Sequence, residues 1–139
     1  MTSNHSSQRQ EQADDIVIID GARTPIGRFN RSLSGFSATD LGGFAIEGAL
    51  ATTGVDAAQV DSVVMGHVLT AGEGQSAARN AAVKGGIGLD VDAVTVNKVC
   101  LSGLQAINYA SMLIQLGYAE VVVAGGMESM SNSPHLLTK

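Results

Sequence analysis

From Val99 to Ala119 the chain carries no charged residue, although this stretch has the composition of a helix. At about 100° per residue, Ala106, Ile107, Ala110, Leu113 and Ile114 share one face. Leu101, Leu104, Met112 and Leu116 fall on the other side, mixed with Gln and Asn. A helix that is apolar on both sides is normally covered on both sides. One sheet covers only one of them, so the pattern implies a second layer, from another chain or from more of the same chain. Such a chain is expected to expose the uncovered side of the Leu101–Leu116 helix and to associate through it.

Short apolar runs punctuate the rest. Ile16–Asp20, Ser62–Leu69, Ala93–Asn97 and Glu120–Gly126 read as strands, the first as a β-branched run buried on both faces. Between them lie helical stretches. Ser37 is the expected N-cap of a helix carrying Leu41, Phe44, Ala45 and Ala49, with Asp40 in its first turn and Gly54 as its stop. Asp56–Asp61 reads as one short turn, and Gln75–Lys84 as a helix ended by Gly85 and Gly86. Strands alternating with helices predict an α/β fold: a βαβαβαβ unit with a mainly parallel sheet and right-handed crossovers. Residues 1–14 are polar and aperiodic and are expected to form a disordered tail, leaving 15–139 as the domain.

Composition closes off several function classes. The formal charge of −5, from 8 basic and 13 acidic side chains, argues against a nucleic-acid partner. With 45% hydrophobic and 15% charged residues the chain is too apolar to be intrinsically disordered. A single cysteine excludes an internal disulfide framework and a Cys-rich zinc site. No apolar run approaches the roughly 18 residues of a membrane span, and the polar start shows no secretory signal, so the expected location is the cytoplasm.

That cysteine, Cys100, falls at the junction of a strand and the charge-free helix. Unpaired amides and the positive end of a helix dipole there favour a thiolate and an oxyanion. Ser102 and Gly103 would let the backbone turn closely around such a site. A lone cysteine is as readily a buried, inert side chain. A thiol nucleophile also needs a base. Of the histidines, His5 lies in the tail, His67 near a strand end reads as structural, and His135 lies in an irregular segment. GEGQSAARN is too incomplete for a phosphate loop and reads better as a tight turn. Glu128 reads as an acid held by loop amides. Arg23, Arg28 and Arg31 sit in the long loop 21–35, where they are free to meet an anion or to pair structurally.

Four segments together, ARTPIGRF (Ala22–Phe29), MGHVLTAGEGQSAARNAA (Met65–Ala82), VNKVCLSGLQAI (Val96–Ile107) and VVVAGGMESMSNSPH (Val121–His135), give the chain its family likeness. From about Ile16 onward it resembles the N-terminal half of a thiolase of the acetyl-CoA acetyltransferase type. The resemblance implies a layered fold of two similar halves, with the cysteine-bearing helix sandwiched between their sheets. It implies that Cys100 takes an acetyl group from acetyl-CoA as a thioester, which a second acyl-CoA attacks in a Claisen condensation, or the reverse thiolysis. It implies CoA thioesters as substrates, no resident cofactor or metal, and a homo-oligomer. The activating histidine, the second cysteine and the oxyanion asparagine of the family belong to its C-terminal half, and their positions have no match here. The chain is therefore expected to be a partial thiolase sequence, without turnover as it stands. The alternatives are a degradative 3-ketoacyl-CoA thiolase and a noncatalytic subunit that pairs with a separate C-terminal half.

Overall fold

The computed structural model describes residues 15–139. The proposed tail, residues 1–14, lies outside the described residues. The elements in order are α1 (Ala38–Thr53), β1 (Ser62–Gly66), α2 (Ala77–Lys84), β2 (Asp92–Val96), α3 (Ser102–Gln115) and β3 (Val122–Gly126), with short 3-10 turns at Ala57–Gln59 and Met130–Asn132. The three strands form one parallel sheet in the order β2-β1-β3. The α/β class and the parallel sheet agree with the sequence pattern. Among the described residues no helix is long and apolar enough to cross a membrane.

β1 is central and wholly buried because both of its faces are covered. Alternate side chains of a strand point to opposite faces. Val63 and Met65 join α1 and α2 in one core, with Ile46, Ala78, Ala81 and Met127. Val64 joins Val96 and Ala106 of α3 in a second, smaller core. Burying each of these β1 side chains is worth about 1.5–3 kcal/mol.

Ile16–Asp20 is not a strand. It is irregular and solvent-facing, with Ile18 79% exposed. An apolar run signals a wish for burial, but a strand forms only by pairing, and no strand of the described sheet lies beside it. The βαβαβαβ expectation is corrected accordingly to three strands.

α1 begins with a capping box: Ser37 Oγ accepts from the Asp40 amide at 3.1 Å and Asp40 Oδ2 accepts from the Ser37 amide at 2.9 Å. It ends at Gly54, whose φ of 70° closes the last turn onto the Leu50 carbonyl. The helix buries its Ala38, Thr39, Gly42, Gly43 and Ile46 face, and Phe44 is left half exposed, edge-on to Phe36. The larger apolar residues thus do not mark the contact face. Gly42 and Gly43 do, because a Cβ at Gly43 would come within 2.7 Å of the Lys84 Cβ on α2.

α3 lies on the sheet through Ser102, Ala106 and Ala110, with Leu113 half buried beside them. Ile107, expected on this face, is exposed. Leu101, Leu104, Met112 and Leu116 are also exposed, Leu116 by 70%. The outer side of this helix is bare, as its two-sided apolarity implies.

Where β1 meets α3 no side chain intervenes. A Cβ on Gly66 would collide with the backbone of Ser102 and Gly103. Gly66→Ala is expected to destabilise by about 3 kcal/mol, because neither backbone can retreat. A lowered urea midpoint at unchanged denaturant slope would show it.

The start of α1 is tied to the end of α2 by Lys84, whose Nζ lies 2.6 Å from Asp40 Oδ1. The Asp40 carboxyl titrates at about 2 instead of 3.8, first through the Lys84 hydrogen bond and then through the hydroxyl and amide of Ser37. A depressed carboxyl pKa contributes stability that is present above the unfolded value and lost as pH falls through the folded one. Thermal melts between pH about 5 and 2 should therefore fall less steeply for Asp40→Asn than for the unmodified chain.

Candidate active site

In open α/β sheets ligands bind beyond the carboxyl ends of the strands, where strand order switches. Here the chain leaves β1 for β2 on one side, then crosses over β1 to β3 on the other. The strand ends stay tied past the sheet. The His67 amide donates to the Val96 carbonyl at 3.0 Å, and the Met127 amide donates to the Gly66 carbonyl at 3.0 Å. Gly126 and Gly103 pack backbone to backbone, so α3 begins directly over this junction.

Between β2 and α3 the chain makes a tight elbow. Val99 adopts φ 52°, the left-handed region. A β-branched residue there is a genuine outlier and costs about 1–3 kcal/mol. Hydrogen bonds hold it. Asn97 Oδ1 accepts from the Val99 amide at 2.9 Å. Ser102 Oγ accepts from the Lys98 amide at 2.9 Å and donates to the Val99 carbonyl at 2.6 Å. Cys100 follows Val99 on the outside of the turn, exposed and with a free thiol, just before the first turn of α3. It is exposed, not buried as a lone cysteine often is. Val99 and Asn97 escaped the sequence reading, and the trace they leave there is the asparagine and serine flanking the cysteine.

The other residues singled out in the sequence have different surroundings. His67 is 1% exposed, and its Nε2 lies 3.1 Å from Glu128 Oε1, out of line for a hydrogen bond. The Glu128 carboxylate instead accepts from the amides of Val68 and Leu69 at 3.0 and 3.1 Å. This is the loop-amide role read for Glu128, and it locks the exit of β3 to the exit of β1. Glu73, in the glycine-rich turn, reaches back to the Ala38 amide at 3.1 Å. A carboxylate of the chain itself thus occupies the N-terminus of α1. Arg23 and Arg28 line an open cleft of about 380 Å³ between the first loop and residues 126–131. Neither Arg31 nor Cys100 borders it. His135 lies exposed in the irregular segment after Asn132. Of the described sequence candidates, then, Cys100 and Ser102 come together, while His67, His135, Arg23, Arg28 and Arg31 are engaged or placed elsewhere.

Comparison with known proteins bears on the whole region. The family model for the thiolase N-terminal domain matches residues 16–139. A probable acetyl-CoA acetyltransferase of Mycobacterium tuberculosis is 58% identical over 121 residues, 87% of this chain and 31% of the relative. An acetyl-CoA acetyltransferase of Pseudomonas aeruginosa is 50% identical over 123 residues, 88% of this chain and 31% of the relative. The Acat5 thiolase of Ascaris suum, solved in complex with coenzyme A, superimposes with a TM-score of 0.84 at 37% identity, over 87% of this chain and 32% of its own. The chain spans about a third of the length of these relatives. Matched by the family model from Ile16 to its last residue, this chain belongs to the thiolase family.

Proposed function

We propose that the protein carrying this segment is an acetyl-CoA C-acetyltransferase and that Cys100 is its nucleophile. The observation that carries this reading is the elbow. It holds an exposed, free thiol just before the first turn of a 14-residue helix, open to an acyl donor.

In the first half-reaction the Cys100 sulfur attacks the carbonyl carbon of acetyl-CoA. The tetrahedral species collapses with cleavage of the bond to the CoA sulfur, and CoA leaves as its thiol after taking up a proton. The acetyl group stays on Sγ as a thioester. In the second half-reaction the α-carbon of another acetyl-CoA loses a proton and attacks that thioester carbonyl. The bond to Sγ breaks, acetoacetyl-CoA forms and the Cys100 thiolate is regenerated. Splitting one difficult step into two acyl transfers is what a covalent nucleophile contributes. The same steps in reverse are thiolysis of a 3-ketoacyl-CoA.

The α-proton needs a base; among the described residues His67 is buried against Glu128 and His135 lies exposed in the irregular C-terminal segment. In this reading the histidine, second cysteine and asparagine that the resemblance implies come from the remaining length of the protein. CoA thioesters act as substrates, no resident cofactor takes part, and the working protein is a cytoplasmic homo-oligomer.

Incubation with acetyl-CoA alone is expected to leave one acetyl group on the peptide containing Cys100, detected by mass spectrometry. Cys100→Ser should lose the label and about a thousandfold or more of turnover. Full turnover in that variant, or acetyl found only on another residue, would overturn the assignment.

A further inference from the structure

The elbow exists against the conformational preference of its own residue, so something must hold it. Three successive peptide units are pinned there by side chains. Ser102 Oγ takes the Lys98 N–H, which belongs to the unit joining residues 97 and 98. Asn97 Oδ1 takes the Val99 N–H, in the unit joining 98 and 99. Ser102 Oγ gives its proton to the Val99 carbonyl, in the unit joining 99 and 100. The third unit carries the Cys100 amide and so sets the direction in which the Cys100 side chain leaves the backbone. One hydroxyl thus grips both ends of the strained turn. Ser102 itself has little freedom, being 5% exposed with its backbone resting on Gly66.

We propose that Ser102 is a positioning residue for Cys100: its hydroxyl holds Val99 in the left-handed conformation and so fixes where the thiol stands. Ser102 touches no reacting atom in this scheme and acts through the backbone alone. Loss of the hydroxyl deprives the Lys98 amide of its acceptor and frees Val99 to relax toward the extended region that β-branched residues prefer. A glycine at position 99 carries no such preference, so the grip should matter far less there. The proposal rests on Cys100 being the nucleophile.

The test measures the initial rate of Cys100 acetylation by acetyl-CoA in the protein at its natural length, read on the Cys100 peptide. The set comprises the unmodified protein, Ser102→Ala, Ser102→Thr, Val99→Gly and the Val99→Gly/Ser102→Ala double variant. Ser102→Ala is expected to slow acetylation about tenfold or more, the size of a lost buried hydrogen bond. Ser102→Thr, which keeps the hydroxyl, should recover most of that rate. In the Val99→Gly background, removal of the hydroxyl should cost less than about threefold, a coupling that a purely structural serine would not produce. An unmodified protein that is not acetylated would overturn the nucleophile and this proposal together. An acetylated protein whose Ser102→Ala variant keeps its rate would overturn the positioning role alone. So would an equal loss of rate on removing the hydroxyl with and without the Val99→Gly change. Should Ser102→Ala fail to fold, the double variant decides: acetylation close to the Val99→Gly rate supports the grip, and its absence refutes it.

Discussion

Everything at the site depends on one contact between backbones. Gly66 ends the central strand directly beneath Ser102 and Gly103, with no side chain between strand and helix. That closeness sets the height at which α3 starts. Because the chain must climb from the end of β2 to that start within the few residues after Val96, it has no room for a relaxed loop. The left-handed Val99 is the geometric result. Any side chain at position 66 would collide with the backbone at that start.

Acidic side chains complete the frame around this contact. Glu73 closes the N-terminus of α1, and Glu128 gathers the amides that follow β1. Asp61 accepts from the amides of Glu120 and Val121 at the mouth of β3, which lowers its pKa. Each carboxylate joins parts of the chain 34 to 60 residues apart. The net negative charge of the chain is thus partly engaged internally by orphan amides.

What could be read from the sequence was what is local. The Ser37–Asp40 capping box spans four residues and was legible, as were the glycine stop at position 54 and the three apolar runs that became β1, β2 and β3. Pairing was not legible. Ile16–Asp20 has the composition of a buried strand, yet no local rule says which strand will lie beside it. The contact face of α1 was hidden because its signal is two glycines, which patterns of large apolar residues overlook. At the site, the cysteine stood out by its position between a strand and an uncharged helix. The turn that presents it did not, because a β-branched valine is out of place at a positive φ. The resemblance to thiolases singled out Cys100 as the proposed nucleophile, but how the chain holds it could be read only from atoms.

The bare outer side of α3 carries Leu101, Leu104, Met112 and Leu116 on a stretch without a single charge. Whatever lies against it meets apolar area and neutral polar groups such as Asn108 and Gln115, with no charge within the stretch to set a register by ion pairing. Counterions have nothing to screen on such a seam. Excluded salts such as sulfate would tighten it rather than loosen it, and cooling would weaken it. Closure over this helix is therefore a matter of fit and temperature, insensitive to the ionic strength that governs contacts between charged surfaces.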